Sequence, residues 1–284
     1  MAHVRWDCYT AIIIVILNLF VIFMIQKAKL HSHRFYLIQL LSLIDALQPA
    51  IIIFIIIFRE ELKHQKTVYE LLSIFFYLFG IMSNLQIVFI TGDRFLEMRY
   101  CLKYYRLVTR RRILLLTALT FAVCGVLVIT VSKWTRHFND YFLNTTFGVL
   151  CLDVVVRTLT ILFALLVGFA VKRIRKRNIA QLRNRTIYDG FQQERMLKLI
   201  ELKMSIKDVT ILNIWTVIFL TPQIITGIIM IVFNDQLRIY DAIFRIIYLV
   251  SNPFVYLATQ TKLRKAVKTL FGTHNRINPL NPAD

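Results

Sequence analysis

The sequence predicts an all-α membrane protein: a seven-transmembrane helix bundle followed by a short amphipathic eighth helix. Of its 284 residues, 57% are hydrophobic, which is more apolar surface than a soluble domain of this length buries. The apolar residues are grouped in runs of about 20, the length that a helix needs to cross a bilayer. The basic residues lie in short blocks between these runs, as they do at membrane surfaces.

Each apolar run is expected to be helical, because lipid offers no hydrogen-bond partner for free backbone groups. The seven predicted spans are residues 8–26, 35–58, 68–96, 113–132, 149–171, 206–233 and 239–259. The fifth span contains Asp153 and Arg157, and the short last span contains Pro253. The basic segment 172–207 is expected to continue the fifth and sixth helices beyond the bilayer.

A short amphipathic helix is predicted over 261–271. Its apolar residues fall on one helical face, which comprises Leu263, Ala266, Val267, Leu270 and Phe271. Because basic residues occupy the opposite face, this helix is expected to lie on the inner leaflet. The chain thus divides into a transmembrane domain over 1–260, this helix over 261–271, and a disordered cytoplasmic tail over 272–284.

The net charge of +19 indicates a membrane surface rather than nucleic acid as the partner, because apolar runs separate the basic blocks. One predicted side of the bundle carries 26 of the 35 Lys and Arg residues. This asymmetry predicts an external N-terminus and a cytoplasmic C-terminus. The acceptor triplet at Asn144 falls in a predicted outer loop. The block 172–207 is expected to attract anionic lipid, or to dock a cytosolic partner.

Four polar residues on four different spans are predicted to lie at one depth. They are Asn18, Asp45, Ser83 and Asn252. Counted from the nearest cytoplasmic basic residue, each lies about 13–16 Å deep in a hydrocarbon core about 30 Å thick. One interpretation is that they form hydrogen bonds between packed helices. Because Asp45 is charged, the pattern favours the other interpretation, an ion-linked or proton-linked element.

Four short motifs stand in a specific order and spacing along the chain. They are Leu41 with Asp45, Asp93-Arg94-Phe95, Phe219-Leu220-Thr221-Pro222, and Asn252-Pro253-Phe254-Val255-Tyr256. Together with Asn18 and Ser83, these motifs resemble those of the rhodopsin-like (class A) G-protein-coupled receptors. The resemblance covers nearly the whole chain and suggests a divergent member of that family.

The resemblance implies a plasma-membrane receptor, not an enzyme, that passes the signal of an extracellular ligand to a heterotrimeric G protein. The implied coupling and switch residues are Asp93, Arg94, Phe95, Leu102, Pro222, Asn252, Pro253 and Tyr256. The implied sodium pocket comprises Asp45, Ser83 and Asn252, with Asn18 nearby. The implied ligand contacts are Phe76, Tyr77, Arg157, Leu220 and Arg245. On activation, the sixth predicted helix would shift about the bend at Pro222. Arg94 would leave Asp93, and Tyr256 would move inward.

The ligand class is open, although Phe76 stands where amine receptors carry an aspartate, which argues against a standard amine. Two acid–base pairs lie in the outer half, Asp153 with Arg157 and Asp241 with Arg245. Their four-residue spacing allows each pair to form its own salt bridge. Alternatively, the two arginines face a pocket and bind an anionic or carboxylate ligand.

The chain departs from the family at several positions. Tyr69 stands where a cysteine starts the third helix, so Cys151 lacks its usual partner and Cys8 is the alternative. Leu220 replaces the tryptophan of the sixth helix, and Leu202 stands near the usual acidic partner of Arg94. A receptor-like protein that no longer couples is therefore one alternative to a signalling receptor.

Two other classes compete with a receptor. A membrane metal hydrolase needs histidines inside spans, but all six histidines lie outside the predicted ones, and the spans contain no Ser-His or paired-Asp arrangement. A transporter of ions or small solutes is consistent with the polar layer at mid-depth. It would also predict internal repeats, which the sequence does not show.

Overall fold

The computed structural model describes residues 2–30, 32–100, 104, 108–138, 143–184, 192–233 and 238–271. These residues form helices joined by short connections. The helices are α1 (Ala2–Lys27), α2 (His33–Ile57), α3 (Arg59–His64), α4 (Lys66–Tyr100), α5 (Arg110–Phe138), α6 (Leu143–Asn184), α7 (Gln192–Phe233), α8 (Arg238–Thr259) and α9 (Thr261–Phe271).

Six of these helices are long and apolar enough to cross a membrane, namely α1, α2, α4, α5, α6 and α7. This agrees with the predicted all-helical membrane protein. The last of the seven predicted spans corresponds to α8, whose apolar segment Ile243–Thr259 is shorter. The predicted tail over 272–284 lies outside the described residues.

Helix boundaries differ from the predicted spans mainly where polar residues continue a helix beyond its apolar run. The extension of the fifth and sixth predicted helices is confirmed, because α6 continues to Asn184 and α7 begins at Gln192. The helix α6 begins at Leu143, so the expected loop position of Asn144 is wrong; the side chain of Asn144 is not among those described. The short helix α3 was not predicted, because its six residues carry no apolar repeat.

The long helices pack around α4, which contacts α2, α5, α6 and α7. The helix pairs α1–α2, α6–α7, α7–α8 and α8–α1 also pack together, so that α8 closes the bundle against α1. Large apolar side chains remain exposed around the outside, for example Leu115 at 71% and Leu166 at 67%. Such a surface suits lipid rather than water.

Gly227 allows α6 and α7 to approach closely. A Cβ atom at this position would lie 2.6 Å from Cγ2 of Val154 on α6, closer than two carbon atoms can pack. The absence of a side chain at Gly227 therefore determines how near α7 lies to α6 at this position.

The helix α9 packs partly against the bundle rather than presenting its whole apolar face to the membrane. Leu263 is fully buried, and Ala266, Val267 and Leu270 pack against the core that α1, α2 and α8 share. Phe271 is outside the described side chains. A helix therefore occupies the predicted range 261–271, and its contacts help to hold the ends of α1 and α8 together.

Candidate functional site

A fully buried carboxylate joins three helices near the middle of the bundle. Asp45 on α2 is 0% exposed. Its Oδ1 accepts a hydrogen bond of 2.6 Å from the Ser83 hydroxyl on α4, and its Oδ2 accepts one of 2.5 Å from Nδ2 of Asn252 on α8. The structure thus brings together three of the four residues predicted to share one depth. Both donors are neutral, so they do not compensate the carboxylate charge.

Asn18, the fourth residue, is fully buried but donates its hydrogen bond to the Ile14 carbonyl of its own helix, at 3.0 Å. Several buried oxygens of this region accept or donate no hydrogen bond within the described part of the chain: Oδ1 of Asn18, Oδ1 of Asn252 and Oγ of Ser42. Hard cations bind to such carboxylate, amide and hydroxyl oxygens. The residues around Asp45 therefore fit a small cation such as sodium.

The described residues contain no group of three His, Cys, Asp or Glu side chains that could hold a metal ion. The Asp45 cluster, with one carboxylate and several neutral oxygens, is accordingly a poor match for zinc or another ion that prefers nitrogen and sulfur. A monovalent cation matches its single negative charge.

Arg94 is held inside the bundle by partners that differ from the predicted one. It is 2% exposed, and its guanidinium contacts Glu97 at 3.5 Å and the Gln260 side-chain oxygen at 3.2 Å. Glu97 also pairs with Arg34 on α2 at 2.5 Å. Arg34, Glu97, Arg94 and Gln260, here called the inner latch, therefore link α2, α4 and the α8–α9 junction.

The expected pairing of Arg94 with Asp93 is wrong for this structure. Asp93 instead accepts a 2.5 Å hydrogen bond from the hydroxyl of Tyr104, eleven residues later. Adjacent residues on a helix point about 100° apart, so Asp93 and Arg94 reach different neighbours. Burial, reinforced by the negative Asp93 and Glu97, raises the pKa of Tyr104 above its ordinary value. Tyr104 therefore remains a protonated donor at physiological pH.

A second buried carboxylate lies in the part of the bundle expected to face outward. Asp153 on α6 is 2% exposed and pairs with Arg157 of its own helix at 2.5 Å, which confirms the predicted local salt bridge. Oδ2 of Asp153 also accepts a hydrogen bond of 2.9 Å from Arg245 on α8. Arg157 further donates to the Gln223 carbonyl of α7, at 3.2 Å. The expected Asp241–Arg245 pair is not described, because the Asp241 side chain lies outside the described residues.

Arg245 extends from this ionic cluster towards α2 and α4. Its guanidinium carbon lies 5.5 Å from the centre of the Phe76 ring, within the range of a cation–π contact. A Cβ atom at Gly80 would lie 3.4 Å from Nη1 of Arg245 and 3.0 Å from Nε2 of Gln48. Gln48 is 2% exposed, and its Nε2 donates to no described acceptor. Two donors therefore meet beside Gly80.

The structure places the other predicted ligand residues in two different surroundings. The Phe76 and Tyr77 rings are in edge-to-face contact at 5.6 Å, and Tyr77 packs against the cluster formed by α2, α4, α5 and α6. Leu220 is fully buried in the main core, and its place beside a ligand stays a prediction. An aliphatic side chain with no polar atom is stable in that apolar surrounding.

Trp215 on α7 contacts α8 through its ring and its indole nitrogen, and it lies outside the motifs that the sequence singled out. Its ring stacks on Tyr248 with centroids 5.0 Å apart, and its Nε1 donates to the Ser251 hydroxyl at 3.0 Å. Ser251 precedes Asn252 of the Asp45 cluster. Trp215 stands seven residues before Pro222, two helical turns away on the same face, which was the only available sequence signal.

The remaining predicted switch residues lie inside or beside the same bundle. Pro222 and Pro253 lie within α7 and α8, both of which continue past the proline. Tyr256 is 3% exposed, and its hydroxyl is bonded to no described group. Phe95 packs at the contact of α4 with α6. Leu102 and Leu202 lie outside the described residues or side chains. Cys8 and Cys151 are both free thiols, so they do not pair with each other.

No protein-family model matches this sequence, and no curated protein matches it either. Function is therefore inferred from the chain's own residues and contacts.

Proposed function

We propose that this protein is a plasma-membrane receptor of the rhodopsin-like type, with seven spanning helices, an external N-terminus and a cytoplasmic C-terminus. It transmits the binding of an extracellular ligand to a heterotrimeric G protein. The observation that carries the proposal is the fully buried Asp45, bonded at once by Ser83 of α4 and Asn252 of α8. Asp45 and Asn252 belong to two separate motifs that resemble the family, Ser83 is a further position of the same resemblance, and the fold brings all three together.

The proposed switch has two arrangements that a ligand biases by preferring one of them. In the arrangement described here, the inner latch holds Arg94 within the bundle through Glu97 and Gln260. Release of Arg94 would make its guanidinium available to a G protein. Trp215 supplies a route from α7 to α8, because its bond to Ser251 ends next to Asn252 of the Asp45 cluster.

Sodium is the proposed cofactor of this receptor. Asp45, Ser83 and Asn252, with Asn18 nearby, supply the oxygen atoms that would hold it, and the ion would neutralise the buried carboxylate. The protein's own contribution is to hold these oxygens in a dry interior, where a charge without a counter-ion is costly. A cation that binds one arrangement more tightly than the other shifts the switch.

The proposed ligand carries a carboxylate or a similar hydrogen-bond acceptor. Nε2 of Gln48 is buried without an acceptor, and the Arg245 guanidinium lies beside the same glycine, Gly80. A planar acceptor placed there would be bonded by an amide and a guanidinium together. Phe76 and Tyr77 provide adjacent aromatic surface for an apolar part of the ligand.

Nucleotide exchange on purified G proteins tests the proposal without a known ligand. The protein is reconstituted in nanodiscs, and GTP binding to a panel of heterotrimeric G proteins is measured. We expect basal exchange from the wild type, less from Arg94→Ala, and more from Glu97→Gln, because the latch is weakened. Glu70→Gln is the matched control, since it neutralises a carboxylate at the other end of α4.

Two results would contradict a coupling receptor. If neither the wild type nor Glu97→Gln exceeded Arg94→Ala with any G protein, the chain would be a receptor-like protein that does not couple. If reconstituted vesicles showed an ion flux that Asp45→Asn abolished, the chain would be a transporter. Vesicle flux is therefore measured on the same preparations.

A further inference from the structure

A groove of about 520 Å³ lies between α4 and α6, outside the site described above. It is at the Lys/Arg-rich end of the bundle, where the apolar segments of both helices, Thr67–Tyr100 and Gly148–Ile174, end. Its lining is mostly apolar and contains two arginines; it includes Phe95 and Arg99 from α4 and Leu166, Phe169, Arg173 and Ile174 from α6. The groove is open to the side of the bundle that carries exposed apolar residues.

The floor of this groove is a packed part of the protein. Met98 on α4 is 8% exposed, and it packs with Val167 and Val171 on α6, which are 5% and 4% exposed. Phe95 and Phe163 pack against this small cluster from the sides. Because these buried contacts hold α4 and α6 together, the groove is a preformed surface rather than a gap between loose helices.

The rim of the groove carries two arginines with no described carboxylate beside them. Arg99 and Arg173 are both exposed, and within the described side chains neither guanidinium has an acidic partner within 4.0 Å. Glu97 is two residues before Arg99 and therefore faces another direction, where Arg34 and Arg94 hold it. The guanidinium carbon of Arg99 lies 6.0 Å from the centre of the Phe95 ring and 5.3 Å from the centre of the Tyr100 ring. These contacts limit the orientations that the guanidinium can adopt.

Below the two arginines, the groove wall is apolar and faces outward. Leu166 is 67% exposed and Phe169 is 65% exposed, on a helix that is apolar enough to cross a membrane. A surface with cations at the level of the lipid headgroups and large apolar side chains below them matches the two chemical halves of a phospholipid. An arginine binds a phosphate through two parallel hydrogen bonds, which a lysine cannot provide.

We propose that this groove binds an anionic phospholipid of the adjacent leaflet. Its phosphate lies between Arg99 and Arg173, and one acyl chain lies along Leu166 and Phe169. The bound lipid spans the α4–α6 contact within two helical turns of Arg94, so it stabilises the packing of α4, the helix that carries Arg94 and Glu97 of the inner latch. The proposal does not depend on coupling to a G protein.

Lipid titration of the purified full-length protein tests this inference. Binding of phosphatidylglycerol and of phosphatidylcholine is measured by native mass spectrometry and by the lipid-dependent rise in thermal midpoint. The double variant Arg99→Gln/Arg173→Gln is compared with Lys262→Gln/Lys265→Gln, which removes the same charge from exposed positions of α9. We expect the groove variant to bind phosphatidylglycerol about tenfold less tightly, and the α9 variant to bind it like the wild type.

Three outcomes would overturn the inference. The first is equal loss in both double variants, which would indicate general attraction to the basic surface. The second is wild-type affinity in the groove variant, provided that its thermal midpoint without lipid shows a folded protein. The third is displacement of the lipid by an acidic peptide that requires the same two arginines, which would assign the groove to a cytosolic protein. Leu166→Ser adds a separate check, because it should weaken long-chain lipid more than short-chain lipid.

Discussion

Two buried carboxylates of the same bundle, Asp45 and Asp153, have opposite electrostatic surroundings. Asp153 is bonded by two guanidinium groups, from Arg157 and Arg245. Asp45 is bonded by a hydroxyl and an amide, from Ser83 and Asn252, and no cationic side chain of the described chain pairs with it. Both carboxylates are 2% exposed or less, so the difference lies in their partners rather than in their depth.

This difference separates a fixed site from a responsive one. The charge of Asp153 is compensated by arginines that belong to the chain, so its cluster is always complete. The carboxyl group of Asp45 meets only neutral donors, and in the proposed receptor an ionised Asp45 would be compensated by a sodium ion, which can leave. The stability of the Asp153 cluster is therefore expected to change only when the protein is mutated. The stability of the Asp45 cluster is expected to change also with the ions in solution.

The largest effect is expected from Asp153→Asn. This variant removes the carboxylate from two arginines and is expected to destabilise the protein by about 3–5 kcal/mol, because it leaves buried charge without its partner. Thermal unfolding of the purified protein, together with the yield of folded protein, measures the loss. Asp45→Asn is the matched substitution, and we expect it to be the milder of the two. Equal losses would remove the distinction between the clusters.

Arg245→Gln is expected to have an intermediate effect of about 1.5–3 kcal/mol, because one charged hydrogen bond to Asp153 is lost while that of Arg157 remains. The thermal midpoint measures this change. Arg245→Ala tests the role in ligand binding: if it reaches the cell surface and still responds unchanged to a ligand found by screening, the proposed ligand contact is wrong. Arg157→Gln, measured in parallel, shows whether the two arginines are equivalent.

Sodium is expected to stabilise the wild type by about 1.4 kcal/mol at ten times its dissociation constant. We expect the same concentration of choline to have no such effect, which controls for ionic strength. Asp45→Asn should abolish the sodium-dependent rise in thermal midpoint, whereas Asp153→Glu should retain it. A sodium effect that survives in Asp45→Asn would place the ion elsewhere.

The smallest effect is expected from Trp215→Phe, which removes the hydrogen bond to Ser251 but leaves an aromatic ring beside Tyr248. We expect a loss of about 1 kcal/mol in stability and a change in the apparent sodium affinity, because Ser251 adjoins Asn252. Ser251→Ala is the partner variant of a double-mutant cycle. Additive losses in the double variant would show that Trp215 and Ser251 act independently. That result would contradict the proposed coupling between α7 and the Asp45 cluster.

The sequence predicted interactions that depend on local spacing more accurately than those that depend on tertiary contact. The Asp153–Arg157 salt bridge was predicted, because residues four apart lie on one helical face. The contact of Arg245 with Asp153 was missed, because 92 positions separate the two residues and no local pattern relates them. The family motif misled for Arg94, because its contacts involve three segments of the chain: Glu97 lies on the same helix, Gln260 lies between α8 and α9, and Arg34 on α2 pairs with Glu97.

The sequence by itself predicted the helical membrane character of the chain. It also predicted that Asp45, Ser83 and Asn252 lie at one depth. Both follow from the length of apolar runs and the constant rise of a helix, which need no partner. Only the tertiary structure decided which side chains meet at those depths, for example that Leu220 is in the core and that Trp215 contacts α8. The rotation of each helix about its axis selects these neighbours, and that rotation depends on the packing of all the helices together.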